Sequence, residues 1–137
     1  MIRVRCALAD DPRLDALDRA CFPDDAPYPK RARGCSWWLA LDADGAAVAF
    51  AGMRVLRDVT FLCRAGVMPL ARGGHLHRRL IRVRLRAAPA EMPIVTYTIA
   101  GNVVSANNLI ACGMRLWTPR NAWAGRDVLY WRREARR

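Results

Sequence analysis

Several residue types are scarce in this chain. Lys30 is the one lysine among 23 basic residues, and Glu91 and Glu134 are the only glutamates. The two histidines, His75 and His77, stand two apart with no further clear ligand beside them, so no metal site is expected. The five cysteines fall at positions 6, 21, 35, 63 and 112. Their number is odd and no pair has C-x-x-C spacing, which excludes a zinc framework and a disulfide scaffold and fits a reducing compartment. Cys6, Cys63 and Cys112 lie in apolar stretches and are expected to be small core residues. No apolar run approaches the roughly 18 residues of a membrane helix. Met1 to Arg5 lacks the apolar stretch of a signal peptide. The expectation is a soluble, cytoplasmic protein. Internal repeats, low-complexity segments and obvious linkers are missing as well.

The chain has 137 residues, of which 53% are hydrophobic and 26% charged. That suits a single domain over 1–137 with a real core, and it excludes wholesale disorder. The formal net charge is +11. A bias of arginine over lysine can arise from a GC-rich genome, so the distribution says more than the total. No acid occurs between Asp58 and Glu91, whereas Arg64, Arg72, Arg78, Arg79, Arg82, Arg84 and Arg86 all do. A basic face of this kind suits a nucleotide, a phosphorylated cofactor or nucleic acid, or is simply a solvated helix surface.

The hydrophobic periodicity predicts a β-α-β-β-β-α-β-α-β-β order. Ile2–Leu8 alternates as an edge strand. Asp10 or Asp11 caps a helix with Pro12 in its first turn and Leu14, Leu17 and Cys21 on one face. Pro23, Pro27 and Pro29 impose a loop up to about Gly34. Trp37–Leu41, a tight turn at Asp42–Gly45, Ala46–Leu56 and Val59–Val67 form an antiparallel meander. From Gly74 to Ala88 the period becomes helical, with Leu76, Leu80, Val83 and Ala87 on one face and Arg78, Arg79, Arg82 and Arg86 opposite. Pro89 ends that helix. Ile94–Ile99 is a strand, and Ser105 can cap a short helix to about Cys112, with Gly113 at its C-terminal end. Met114–Trp117 and Val128–Trp131 are the last strands. A strand, a crossover helix and a strand over 59–99 form a βαβ unit, hence a mostly antiparallel α/β sheet with one parallel pair.

The informative stretch is Val67-Met68-Pro69-Leu70-Ala71-Arg72-Gly73-Gly74-His75-Leu76-His77-Arg78-Arg79-Leu80. A strand runs into a glycine-containing loop and then a basic helix, and exposed backbone N–H groups at such a junction bind anions. No Lys-Ser/Thr follows the glycines, so this is not a Walker loop, and G-x-G-x-x-G is absent. Arg72 opens a segment that resembles the Q/R-x-x-G-x-G/A pyrophosphate motif of the GNAT superfamily of acetyl-CoA-dependent N-acetyltransferases, after a strand exit at Val67-Met68-Pro69. Asn102 through Gly113-Met114 resembles the N-x-x-[AS]…G-F segment of that family. Cys21-Phe22-Pro23 and Trp37-Trp38 are similar to its small bacterial and phage members.

The resemblance covers nearly the whole chain. It implies a GNAT fold with six or seven strands, one parallel pair splayed at the cofactor site and helices on both faces. It implies acetyl-CoA as co-substrate and transfer of an acetyl group to a primary amine of a protein or small molecule. Backbone groups at Val67 and Met68 would hold the pantetheine arm. The amides of Arg72, Gly73, Gly74, His75, Leu76 and His77 would cradle the pyrophosphate, and Asn102 and Asn108 would lie beside the cofactor. The helix arginines would attract the adenosine 3′-phosphate.

The chain departs from the pattern in three places. His75 replaces the first motif glycine, His77 replaces the Gly/Ala, and Leu109 stands where relatives often carry a tyrosine that protonates the departing thiolate. Tyr97 and then Tyr130 are the candidates for that acid, each alternatively an aromatic packed in a sheet. Tyr97 requires its ring on the cleft side, with Thr96 and Thr98 facing a helix. Asp58 is a weaker base candidate or a turn residue. These departures also motivate a degenerate domain that binds CoA or a macromolecular partner without efficient turnover. A nucleic-acid module ranks last, for want of an aromatic RNA-binding pattern or a helix-turn-helix. Two tryptophans on the sheet offer a homodimer contact, and Arg132, Arg133, Arg136 and Arg137 read as a solvated tail.

Overall fold

A computed structural model describes residues 1–136. Short turns and alternating apolar residues build the first half of the chain. β1 (Arg3–Ala7) leads to α1 (Pro12–Cys21), whose N-cap Asp11 accepts the Arg13 N–H. After the proline-rich loop come β2 (Cys35–Leu41), β3 (Ala47–Val55) and β4 (Thr60–Val67). The Asp42 carboxylate accepts the N–H groups of Asp44 and Ala46 and so folds the β2–β3 turn. A single 3₁₀ turn (Pro69–Ala71) precedes α2 (Leu76–Ala87) and β5 (Ile94–Ile99). α3 (Val103–Ala111), β6 (Arg115–Trp117) and β7 (Val128–Arg133) complete the chain.

The strands form one seven-stranded sheet in the order β1-β2-β3-β4-β5-β7-β6, antiparallel except for β4 and β5. The element order and the single parallel pair agree with the periodicity. On one face, Leu14 and Leu17 of α1 pack with Trp37, Leu39 and Phe50. On the other, Ile81 and Leu85 of α2 and Leu109 of α3 pack with Trp38, Met53, Ile94 and Trp131.

A β-bulge positions the site. Ala51 pairs with Ala65, but Met53 pairs with Leu62, so Cys63 and Arg64 of β4 together face Gly52 of β3. The extra residue bends β4. Its pairing with β5 covers only Thr60–Ile94 and Phe61–Val95. The last link is a side chain: the Thr96 hydroxyl donates to the Leu62 carbonyl at 2.8 Å. Beyond it the parallel strands part.

Several expectations need correction. α2 begins at Leu76 rather than Gly74, because His75 adopts a left-handed backbone that the helix cannot include. Its buried face is Leu76, Leu80, Ile81, Arg84 and Leu85, while Val83 is only partly covered and Ala87 is exposed. Asn102, not Ser105, caps α3, its side chain accepting the Ser105 N–H. Cys6 is exposed because it lies on the outer edge strand, whereas Cys63 is buried. Trp37 and Trp38 are buried core residues on opposite faces of the sheet. The C-terminal arginines are not a free tail. Arg132 and Arg133 belong to β7, and Arg136 bonds the Ala88 and Ala90 carbonyls; Arg137 lies outside the described residues.

Candidate active site at the splayed strands

The site has two adjoining cavities. The larger, about 780 Å³, runs along the loop before α2 and is lined by Arg72, Gly73, His75, Leu76, His77, Arg78, Asn102 and Asn108 among others. Its floor is the start of α2. His75 makes no side-chain cap, and the first intrahelical bond is donated by Arg79. The N–H groups of Leu76, His77 and Arg78 therefore lack helical acceptors and point at the groove. Gly73 has φ +91°, and side chains added at Gly73 or Gly74 would meet open space, so the backbone is bare on that side. The buried Nε of Arg78, in the groove lining, has no hydrogen-bond partner. Bare amides and an uncapped helix start together suit a pyrophosphate.

Strand alternation decides which β4 groups face the gap. The Met68 N–H donates to the Val48 carbonyl and is turned inward to β3. By alternation, the backbone groups of Val67 and Ala65 point toward the splay. The Val67 carbonyl there accepts the Arg72 Nε at 3.1 Å. Of the two predicted backbone positions, Val67 offers its N–H to the gap and Met68 does not. Ala65 offers both its N–H and its carbonyl, a role that depends on bulge register and so is invisible in sequence.

The second cavity, about 300 Å³, passes through the splay itself. Ala65, His77, Ser105 and Asn108 line both cavities, so the groove opens into the cleft. Thr96 and Thr98 face the helices, and Tyr97 faces the opposite side, 39% exposed, with its ring stacked on Phe61. Tyr130 pairs with Tyr97 across strands on the same face, but its hydroxyl accepts the Ala124 N–H under the 118–127 loop. The structure thus brings Tyr97 to the cleft and leaves Tyr130 one strand away. Asp58 is an exposed turn residue at the far end of β4. Leu109 is buried in the core beneath the cleft.

Arg84 is the functional-site residue that sequence reasoning missed. It is 3% exposed on α2, and its Nη1 donates to the Gly52 and Cys63 carbonyls at 3.0 and 3.3 Å, closing the bulge. Burial pushes its guanidinium down to about 10. The signal was its spacing: it stands four residues after Leu80 and eight after Leu76, on the apolar stripe and not on the face of the other helix arginines. Burial, reinforced by Arg84 and Arg72, lowers the His77 imidazole, which is therefore neutral at neutral pH. Burial also pushes the Cys63 thiol up to about 11 and raises Cys21, Cys35 and Cys112, so none of these is a ready thiolate nucleophile.

On the α1 side, the loop after α1 is pinned by Asp18. Its carboxylate accepts from Lys30, from Arg64 at 2.9 Å and from the Tyr28 N–H. Arg64 also donates to the Ala26 carbonyl and stacks on Phe22. This cluster carries Phe22, Asp25 and Tyr28 to the cleft.

No family model matches the chain, and no curated protein is significantly similar to it. Solved structures are. An IAA acetyltransferase from Bacillus cereus superposes with TM-score 0.79 at 14% identity, over 98% of this chain and 99% of that one. An acetyltransferase from Bacillus subtilis in complex with CoA gives 0.77 at 11% identity, over 98% and 99%. A GNAT family acetyltransferase from Elizabethkingia anophelis with acetyl-CoA bound gives 0.76 at 14% identity, over 97% of each chain. The fold is that of the GNAT acetyltransferases.

Proposed function

We propose that this protein is an acetyl-CoA-dependent N-acetyltransferase acting on a primary amine. The observation that carries this reading is the continuous path from the uncapped start of α2 to the gap between β4 and β5. Acetyl-CoA, when bound, supplies an activated thioester. The amides from Gly73 to Arg78 hold the pyrophosphate, with Arg72 and Arg78 adding charge. Ala65 and Val67 bond the pantetheine arm as an extra strand would, and Ser105 and Asn108 line its other side. The acceptor amine attacks the thioester carbonyl from the Tyr97 side. A C–N bond forms and the C–S bond breaks. The nitrogen loses a proton to water, and the Tyr97 hydroxyl gives one to the departing sulfur and recovers it from solvent. Direct attack fits the protonated cysteines.

Acetyl-CoA should raise the melting temperature, since a ligand that binds only the folded state stabilises it. CoA lacking the 3′-phosphate should raise it less. No shift at millimolar acetyl-CoA would overturn the reading. Stabilisation without thiol release from any amine would favour a binding domain that does not turn over, the reading that Leu109 in the core supports.

A further inference from the structure

α1 packs over the β2, β3 and β4 part of its face of the sheet. Beyond α1 the same face carries an aromatic strip. Phe61 stacks on Tyr97 with ring centroids 6.1 Å apart and planes within 13°. Tyr97 neighbours Tyr130 at 6.5 Å, Tyr130 neighbours Trp123 at 4.6 Å, and Trp123 neighbours Trp117 at 6.1 Å. Tyr97 and Trp123 are 39% and 48% exposed. The strip begins inside the cleft, where Phe22 and Tyr28 also line the space around Phe61 and Tyr97. Exposed, contiguous rings that lead into a reaction cleft are a binding surface.

The charges around it narrow the occupant. Arg64 is committed through Nη1 to Asp18 and the Ala26 carbonyl, with Asp25 4.0 Å from its Nη2, and Arg84 to the carbonyls of Leu80, Gly52 and Cys63. Neither guanidinium is offered to a carboxylate on the acceptor. Asp25, 57% exposed at its side chain and 4.0 Å from the Arg64 guanidinium, is the one carboxylate lining the cleft among the described residues. Shared with Arg64, it leaves room for one ammonium and no more, and a net charge of +11 opposes a polycation. An amine arrives as its ammonium form, which the faces of tyrosine and phenylalanine attract. The cleft's 300 Å³ sits at the small end of ligand sites and takes about one ring.

We infer that the acceptor is a small monoamine with an aromatic body and no carboxylate, its ring against Phe61 and Tyr97 and its nitrogen drawn in past Asp25. This rests on the acetyltransferase reading. The test compares 2-phenylethylamine, L-phenylalanine and spermidine at saturating acetyl-CoA, by initial rates of thiol release. 2-Phenylethylamine should exceed both others in kcat/KM by about tenfold or more. Phe61→Leu, which keeps the apolar bulk, should raise its KM about fivefold with the Kd for acetyl-CoA unchanged. Asp25→Asn should raise KM about threefold, with a thermal melt checking that the fold is kept. Calorimetric titration of the CoA-loaded protein with 2-phenylethylamine reads the seat apart from turnover. No saturable binding there, equal or better use of spermidine or L-phenylalanine, or an unmoved KM in both variants would overturn the inference while acetyl-CoA still binds. Loss of the strip to a dimer seam through Trp123, seen by sedimentation, would overturn it as well. Failure of acetyl-CoA itself to bind removes the enzymatic reading first, and this one with it.

Discussion

His75 holds φ +58°, a left-handed backbone that costs a β-carbon-bearing residue about 1 kcal/mol. The family motif that the chain resembles has glycine there, so the sequence departs in residue type while the backbone keeps the shape. His75→Gly should raise stability by up to about 0.5 kcal/mol, part of the relief being offset by the freer unfolded chain. Thermal melts of the two forms check it, and an unchanged or lowered Tm would mean that the imidazole earns its place. Tyr97 is the other residue whose proposed role rests on one atom. Tyr97→Phe keeps the stack on Phe61 and removes only the hydroxyl. Turnover should fall by about 10²-fold with acetyl-CoA affinity nearly unchanged. The same change at Tyr130 should leave turnover within a few-fold, because its hydroxyl serves Ala124. Equal losses in both variants would assign the effect to the shape of the aromatic strip instead of to the proton.

At the scale of elements, the splay is made by the bulge that sets two β4 residues against Gly52. A β-carbon at Gly52 would lie 2.5 Å from the Trp37 ring and 2.6 Å from the Cys63 sulfur. Gly52→Ala should therefore cost about 1–3 kcal/mol through overpacking, measured by urea denaturation. It should also weaken acetyl-CoA binding, since moving Cys63 moves the strand that presents Ala65. A variant as stable as the parent would show that Trp37 can shift. Strand and helix existence was legible here because alternation and the 3.6-residue period are local properties. The bulge was not, because register is a relation between two strands. The face of α2 was half legible: Leu76 and Leu80 were placed correctly, but the buried stripe turned toward Ile81 and Leu85, where the sheet bends.

For the whole molecule, charge is uneven in a way that matters for acid stability. Asp18 is 2% exposed and joins α1, the 22–34 loop and β4 through Lys30 and Arg64. Burial works to raise its carboxyl, but the bonds from Lys30 and Arg64 outweigh that and hold it below the usual 3.8. A depressed folded-state value means that this stabilisation is present above pH 3.8 and is lost as pH falls through the lower folded value. Asp18→Asn should cost about 2–4 kcal/mol at pH 7, since it leaves the buried Lys30 with the exposed Asp15 as its charged partner and the Tyr28 carbonyl as its other acceptor. The gap between variant and parent, from urea titrations between pH 7 and pH 3, should narrow at the acid end. A gap constant with pH would mean that packing, not the charge, is what Asp18 contributes.

The sequence by itself determined the element order, the single parallel pair and the glycine-containing loop before α2, because each follows from local period, turn chemistry and glycine placement. It also placed the C-terminal cap of α3, where Gly113 takes φ +91° and the Met114 N–H returns to the Leu109 carbonyl. Only the tertiary structure decided which groups meet. It turned Ala65 and Val67 toward the splay, took the Met68 N–H out of use, buried Arg84 beneath the bulge and laid five aromatic rings from distant segments into one strip. Those outcomes depend on register and on how strands bend against helices. A long-range pairing of this kind is a free-energy balance over the whole core, and no local window of residues carries it.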